Sequence, residues 1–157
     1  MAKAKIYWLN DGFAPFLSTV QSHHVFDFCL NYVNRADATV ISSFAINEAF
    51  VRRLVKNRDR LGHVTVLWDV TMATRNIQTL MFLAKNVDAV HLVPNHSKMI
   101  WMQGEKECVA ISSVNTTGNY RNEGGLVTSD PTLIDFYKTN LQIIINDSPQ
   151  WTSNLKK

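Results

Sequence analysis

Apolar and polar positions along the chain change period several times, and each change marks an element. Residues 5–9 read as a short strand, followed by a loop through Gly12 and Pro15. From Ser22, an N-cap candidate, Val25, Phe26, Phe28, Cys29, Tyr32 and Val33 recur at helical spacing as far as Asn34. Residues 36–44 are short and β-branched, the pattern of a buried strand. A helix over 47–61 follows, with Gly62 as its C-terminal cap, then a strand over 64–69, a helix over 74–86 and a strand over 87–92. Strand and helix alternating at short intervals predict an α/β layered fold with a largely parallel sheet.

The second half has a different rhythm. Two apolar runs, 98–103 and 108–112, are joined by Gly104-Glu105-Lys106-Glu107, which predicts a β-hairpin. A polar stretch over 115–122 leads to a last strand over 124–128. Asp130-Pro131 then opens a helix through an N-cap and a proline in its first turn, with Leu133, Ile134, Phe136, Tyr137, Leu141 and Ile144 for a packing face. The tail over 148–157 is expected to fray. The expected architecture is a mixed, largely parallel sheet with helices on both faces, in one domain over 1–157.

Composition narrows the classes. At 157 residues, 46% hydrophobic and 18% charged, the chain is sized for one core and lacks the polar bias of a disordered protein. The net charge of +3 is mild, and informative only where basic residues cluster. No run of about 18 apolar residues exists for a membrane helix. Near the start, Asn10 and Asp11 interrupt any apolar stretch of signal-peptide length, so a cytoplasmic protein is expected. The two cysteines, Cys29 and Cys108, fall on core-like segments and read as buried free thiols.

In open α/β sheets, sites lie at the carboxyl ends of strands. Three such ends carry polar residues: Ser42 and Ser43, Asp69, and residues 91–98. Within Asn95-His96-Ser97-Lys98, the histidine and lysine are two apart and share one face of extended chain. A cation beside an imidazole suits a phosphate, because Lys98 neutralises an oxyanion while keeping His96 neutral and nucleophilic. The blander alternative is a half-exposed strand pair. His91 alternates with core residues and reads as a satisfied strand histidine, and His23, His24 and His63 show no metal spacing. Arg52, Arg53, Lys56, Arg58 and Arg60 form the basic cluster, a solvated helix face in the first reading and a phosphate-backbone contact in the second. Trp8, Trp68 and Trp101 read as core.

The chain resembles the phospholipase D superfamily, whose signature is H-x-K-x4-D, then G-S-x-N, then an acidic residue about ten positions on. Here the series is His96-Ser97-Lys98, four residues, Gln103, then Ser112-Ser113-Val114-Asn115 and Asn122-Glu123. Gln103 stands where the family has Asp, Ser112 where it has Gly, and the interval between them is two residues longer. The resemblance spans about residues 22–145 and points to the small single-motif nucleases. It implies His96 as nucleophile, Glu123 as hydrogen-bond acceptor for the other ring nitrogen, and Lys98 and Asn115 on the non-bridging oxygens. Ser113 would add a hydroxyl donor, and Ser43, Asp69 and Arg121 are further candidates for binding substrate. No metal or cofactor is implied. The family's second histidine would come from another copy, which implies a homodimer with a shared active site. The implied substrate is nucleic acid, DNA before RNA; the alternatives are a nucleic-acid-binding subunit that has lost turnover and a phospholipid phosphodiesterase.

Overall fold

The computed structural model describes residues 6–115 and 121–153. The expected segments at residue 5, 116–120 and 154–157 lie outside that set. Among the described residues the elements are β1 (Phe13–Ser18), α1 (Ser22–Val33), β2 (Ala36–Ser43), α2 (Glu48–Lys56), a 3-10 turn (Arg58–Arg60) and β3 (Leu61–Asp69). They continue with α3 (Val70–Thr74), α4 (Ile77–Asn86), β4 (Ala89–Val93), β5 (Met99–Gln103), β6 (Glu107–Ser112), β7 (Glu123–Thr128) and α5 (Pro131–Asp147).

The seven strands form one mixed sheet in the order β1-β7-β6-β5-β2-β3-β4. Helical crossovers make β2, β3 and β4 parallel. Every pairing from β2 across to β1 is antiparallel, so the parallel character expected for most of the sheet is confined to one side. The cause is the hairpin at Gly104: once β5 lies antiparallel on β2, each following strand turns back on its neighbour.

Alternation along each strand divides the core in two. Ile41, Val66, Trp68, Ile100, Met102 and Ala110 face one way and pack with Val25, Phe26, Leu30, Leu54, Leu80 and Leu83 of α1, α2 and α4. Val40, Leu67, Trp101 and Val109 face the other way and are covered by Ile134 and Leu141 of α5. Helices therefore flank both faces. Asp130 caps α5 as expected, its Oδ1 accepting from Leu133 N–H at 3.0 Å.

Four expectations are corrected. Residues 6–9 form no strand; the strand is β1, which includes Pro15. Proline was read as loop punctuation, but β1 pairs only with β7, and a free sheet edge tolerates the missing N–H. The helix expected over 74–86 is α4, which starts only at Ile77, and a short helix not expected, α3, precedes it because the Asp69 carboxylate starts a turn directly at the end of β3. The tail is docked rather than frayed as far as Trp151, whose N–H donates to the Val90 carbonyl at 2.7 Å. Finally, α2 ends at Lys56, and Gly62 lies inside β3 rather than capping a helix.

Gly62 is glycine because of crowding, not backbone angle. A Cβ there would lie 2.3 Å from the carbonyl oxygen of Asp37 on β2. Gly62→Ala should therefore separate β2 from β3 locally and cost about 1–3 kcal/mol. A thermal melt checks this, and an unchanged midpoint would show that the strands absorb a methyl group.

Candidate active site

Topology gathers the site. The carboxyl ends of β2, β3, β4 and β6 and the amino ends of β5 and β7 meet at one end of the sheet, because β5 and β7 run opposite to β2 and β6. Residues 94–98, between β4 and β5, pass over this end. Ser112 N–H donates to the Lys98 carbonyl at 3.1 Å and Ser113 N–H to the Gly124 carbonyl at 2.9 Å, so three chain-distant segments are laced side by side.

Along 95–98 the side chains alternate in role. Asn95 and Ser97 turn to the protein. The Asn95 amide donates to Ser42 Oγ at 2.9 Å and to the Ser43 carbonyl at 3.3 Å, and its Oδ1 accepts from Ser97 N–H at 3.0 Å and Ser97 Oγ at 2.6 Å. Ser97 Oγ also lies 2.6 Å from Ser42 Oγ. His96 is exposed and Lys98 half-buried. The Lys98 ammonium donates to the His96 carbonyl at 2.8 Å and sits 3.4 Å from its Nδ1. Phe44, just past β2, places its ring centroid 4.8 Å from the imidazole, and Lys98 Nζ lies 5.8 Å from the same ring.

Burial pushes the Lys98 ammonium below its ordinary value, and the nearby Glu123 carboxylate partly offsets this. Ser113 Oγ donates to Glu123 Oε2 and accepts from Gly124 N–H at 3.1 Å. Among the described residues Glu123 makes no hydrogen bond to His96 of the same chain; its partner is Ser113. Asn115 follows Val114, which lines a small cavity with Lys98 and Ser112. Its Oδ1 is buried and has no hydrogen-bond partner among the described residues. Arg121 is exposed at the approach to β7.

Asp69 and Ser43 turn inward. Asp69 is 8% exposed, and its carboxylate accepts from the backbone N–H groups of Thr71, Met72 and Asn95 at 3.0–3.1 Å. Burial alone would raise its pKa, but these three donors, helped by the nearness of His96, hold it below the usual carboxylate value. A depressed folded pKa means stability that is present above the unfolded value of 3.8 and lost as pH falls through the lower folded one. Asp69→Asn should cost about 2 kcal/mol at pH 7 and remove that part of the acid sensitivity. Urea titrations of both proteins between neutral pH and pH 3 would check it, and parallel pH curves would refute it. Ser43 is buried and donates to the Ala45 carbonyl at 2.9 Å; its neighbour Ser42 is the serine that reaches the His96 segment.

Gln103 lies at the far end of β5, four residues from Met99 and hence about 13 Å down the strand from the site. It pairs with Ala38 and Glu107 in the ladder, so it supports the hairpin and does not face a substrate at His96. The basic cluster runs along α2 from Arg52 and Arg53 toward Arg58 and Arg60, just before the amino end of β3. Arg53 is bound to Asp27, Arg58 to Asp88 at 2.8 Å, Arg52 to Glu48, and Arg60 to the Asn34 carbonyl at 3.0 Å. The solvated-face reading therefore holds for most of it. His91 is buried with Nδ1 3.1 Å from Ser148, a satisfied strand histidine. Cys29 and Cys108 are buried free thiols, and their mutual hydrogen bond together with burial pushes the Cys29 thiol well up. No group of three metal-ligating side chains occurs among the described residues, and no helix there is long and apolar enough to cross a membrane.

Sequence reasoning gave no role to Asn95, Ser97 or Phe44, and it named Ser42 at its strand end but assigned substrate to Ser43 instead. Strand alternation was the available signal for the first two: if His96 and Lys98 face outward, residues 95 and 97 must face in, and both are polar.

No protein-family model and no curated protein matches the chain. Solved structures do. NucT from Helicobacter pylori aligns with a TM-score of 0.71 at 18% identity, over 88% of this chain and 98% of its own. The phospholipase D family member Nuc from Salmonella typhimurium aligns at 0.68 and 18%, over 88% and 99%. TrmBL2, an archaeal chromatin protein with a described mode of DNA binding, aligns at 0.66 and 12%, over 92% of this chain and 56% of its own. Nearly end-to-end alignment with two small members, on a sheet that brings the His-x-Lys and Ser-x-Asn segments to one end, identifies the architecture: this chain has the phospholipase D fold.

Proposed function

We propose that the protein is a metal-independent phosphodiesterase of the phospholipase D type, a nuclease that hydrolyses nucleic-acid phosphodiester bonds through a phosphohistidine on His96. The observation that carries this reading is the convergence at one sheet end of an exposed imidazole, a half-buried ammonium 3.4 Å from its Nδ1, and the Ser113–Glu123 pair. A cation held beside a neutral ring is costly to keep unless an anion is to be met there.

The steps follow from the groups present. A substrate phosphate draws the Lys98 ammonium onto a non-bridging oxygen, with the Asn115 amide on the same phosphate. With Lys98 turned to the phosphate, the single proton of the neutral ring moves from Nε2 to Nδ1, where Glu123 can accept it, and the freed Nε2 lone pair attacks phosphorus. The P–N bond forms as the P–O bond to the leaving group breaks, and the departing oxygen takes a proton from His96 of a second copy. Water then attacks phosphorus, giving its proton to that second histidine, and His96 is released. One chain supplies one nucleophile, so the working unit is a homodimer with the site on its axis. Positive charge comes from side chains, and the mechanism asks for no metal.

Cleavage of single-stranded DNA, duplex DNA and RNA in excess EDTA is the test. Cleavage of at least one substrate that survives EDTA, with specific activity that falls on dilution as dimers dissociate, is expected. Activity abolished by EDTA would overturn the mechanism. Tight, salt-sensitive binding without any cleavage would instead favour a binding subunit of the same fold.

A further inference from the structure

We propose that the cavity between the first turns of α1 and α2 is a second anion subsite, which holds a phosphodiester flanking the scissile one on the same nucleic-acid strand. The proposal rests on the nuclease reading above and extends it to how the substrate strand is held. The cavity is about 250 Å³ and is lined by Gln21, Ser22, His23, Asn47, Ala49 and Arg53, with Phe50 behind them. It adjoins the candidate active site, because Ser22 lines both this cavity and the small one that contains Lys98, Ser42 and Ser112.

Its chemistry is one-sided. No carboxylate lines it, and the two lining residues that can carry charge, His23 and Arg53, carry it with positive sign. Asp27, outside the lining, engages Nε and Nη2 of Arg53, which leaves the Nη1 donors of the guanidinium uncommitted among the described residues. Asn47 Oδ1 accepts from Phe50 N–H at 3.0 Å, which leaves its amide donors uncommitted among the described residues. Ala49 is in the first turn of α2, where backbone N–H groups have no intrahelical partner. Ser22 is only 8% exposed and lines the cavity wall.

A crowding of imidazole and guanidinium groups supports the same ligand. The rings of His23 and His24 lie 4.1 Å apart. Burial first, then His24 and Arg53, make protonation of His23 harder, and Asp27 offsets only part of this. An anion seated among these groups would relieve the strain, and a polyanion already held at Lys98 would bring its next phosphate within reach. The stem of His23 is half-buried at a helix start, so the ring can be exchanged without opening the core.

The test uses two substrates that differ in one respect. Bis(p-nitrophenyl) phosphate has a single phosphodiester and nothing to place in the cavity, whereas a single-stranded oligonucleotide has flanking phosphates. His23→Asp puts a carboxylate in the cavity and should lower kcat/KM for the oligonucleotide relative to the small diester by about tenfold, with His23→Gln intermediate. In the His96→Ala background, where no cleavage intervenes, His23→Asp should weaken oligonucleotide binding by a similar factor, read by fluorescence anisotropy. If both substrates lose the same factor, or if oligonucleotide affinity moves less than about twofold in both variants, the subsite is refuted. Should His23→Asp fail to fold, His23→Gln decides. A wild-type protein that cleaves neither substrate overturns the phosphodiesterase reading, and the anisotropy comparison still decides the subsite.

Discussion

His96→Ala is expected to abolish cleavage, lowering kcat/KM by about 10⁴-fold or more while leaving oligonucleotide affinity within a few-fold of wild type. The magnitude reflects the role: without the imidazole there is no nucleophile to split one hard displacement into two easier ones. Affinity is spared because the Lys98 ammonium that would hold the phosphate stays in place. The side chain is exposed, and its segment is held through Asn95 and Ser97, so removing it leaves the fold intact. A melt coincident with wild type, together with loss of an acid-labile phosphoryl-enzyme, would complete the result. Cleavage that survives the substitution would exclude His96 as nucleophile.

Lys98→Met is expected to lower kcat by about 10²–10³-fold, the effect of removing one fixed charge from a developing oxyanion. Methionine keeps most of the length and the apolar character of the lysine stem, so the loss reports charge rather than shape. The pH dependence carries a sign that can be worked out. Burial holds the Lys98 ammonium below its ordinary value of 10.5, so activity that needs the charged form should fail on the alkaline side sooner than an unperturbed lysine would dictate. In Lys98→Met that alkaline limb should vanish. A limb of the same position in both proteins would assign it to another group.

Much of this arrangement was legible in the chain. The His-x-Lys and Ser-x-Asn segments were visible as patterns, and the hairpin at Gly104 foretold that β5 and β6 would lie together. Strands β2 and β3 declared themselves through runs of β-branched residues. Three things were hidden, each for a physical reason. Pro15 concealed β1, because proline signals a loop unless the strand is known to be at an edge, and edges are a property of the finished sheet. Gly62 suggested a helix cap, yet what requires glycine there is the Asp37 carbonyl on another strand, a contact that no local pattern contains. The inward turn of Asp69 was hidden as well: a carboxylate at a strand end looks available to substrate until its three backbone donors are seen.

The sheet also decides how independently the site can open. Asn95 N–H is bound to Asp69 Oδ2 at the end of β3, and Ser97 N–H to Asn95 Oδ1, whose amide in turn reaches Ser42 on β2, so the two amides flanking His96 are tied directly or through Asn95 to the central strands. Local fluctuation cannot release them without disturbing the central strands, and their exchange with solvent deuterium should follow the rate for whole-domain unfolding rather than that of a surface loop. His96, exposed on a segment without helix or strand, would then share the kinetic lifetime of the core, open to solvent yet slow to lose its geometry.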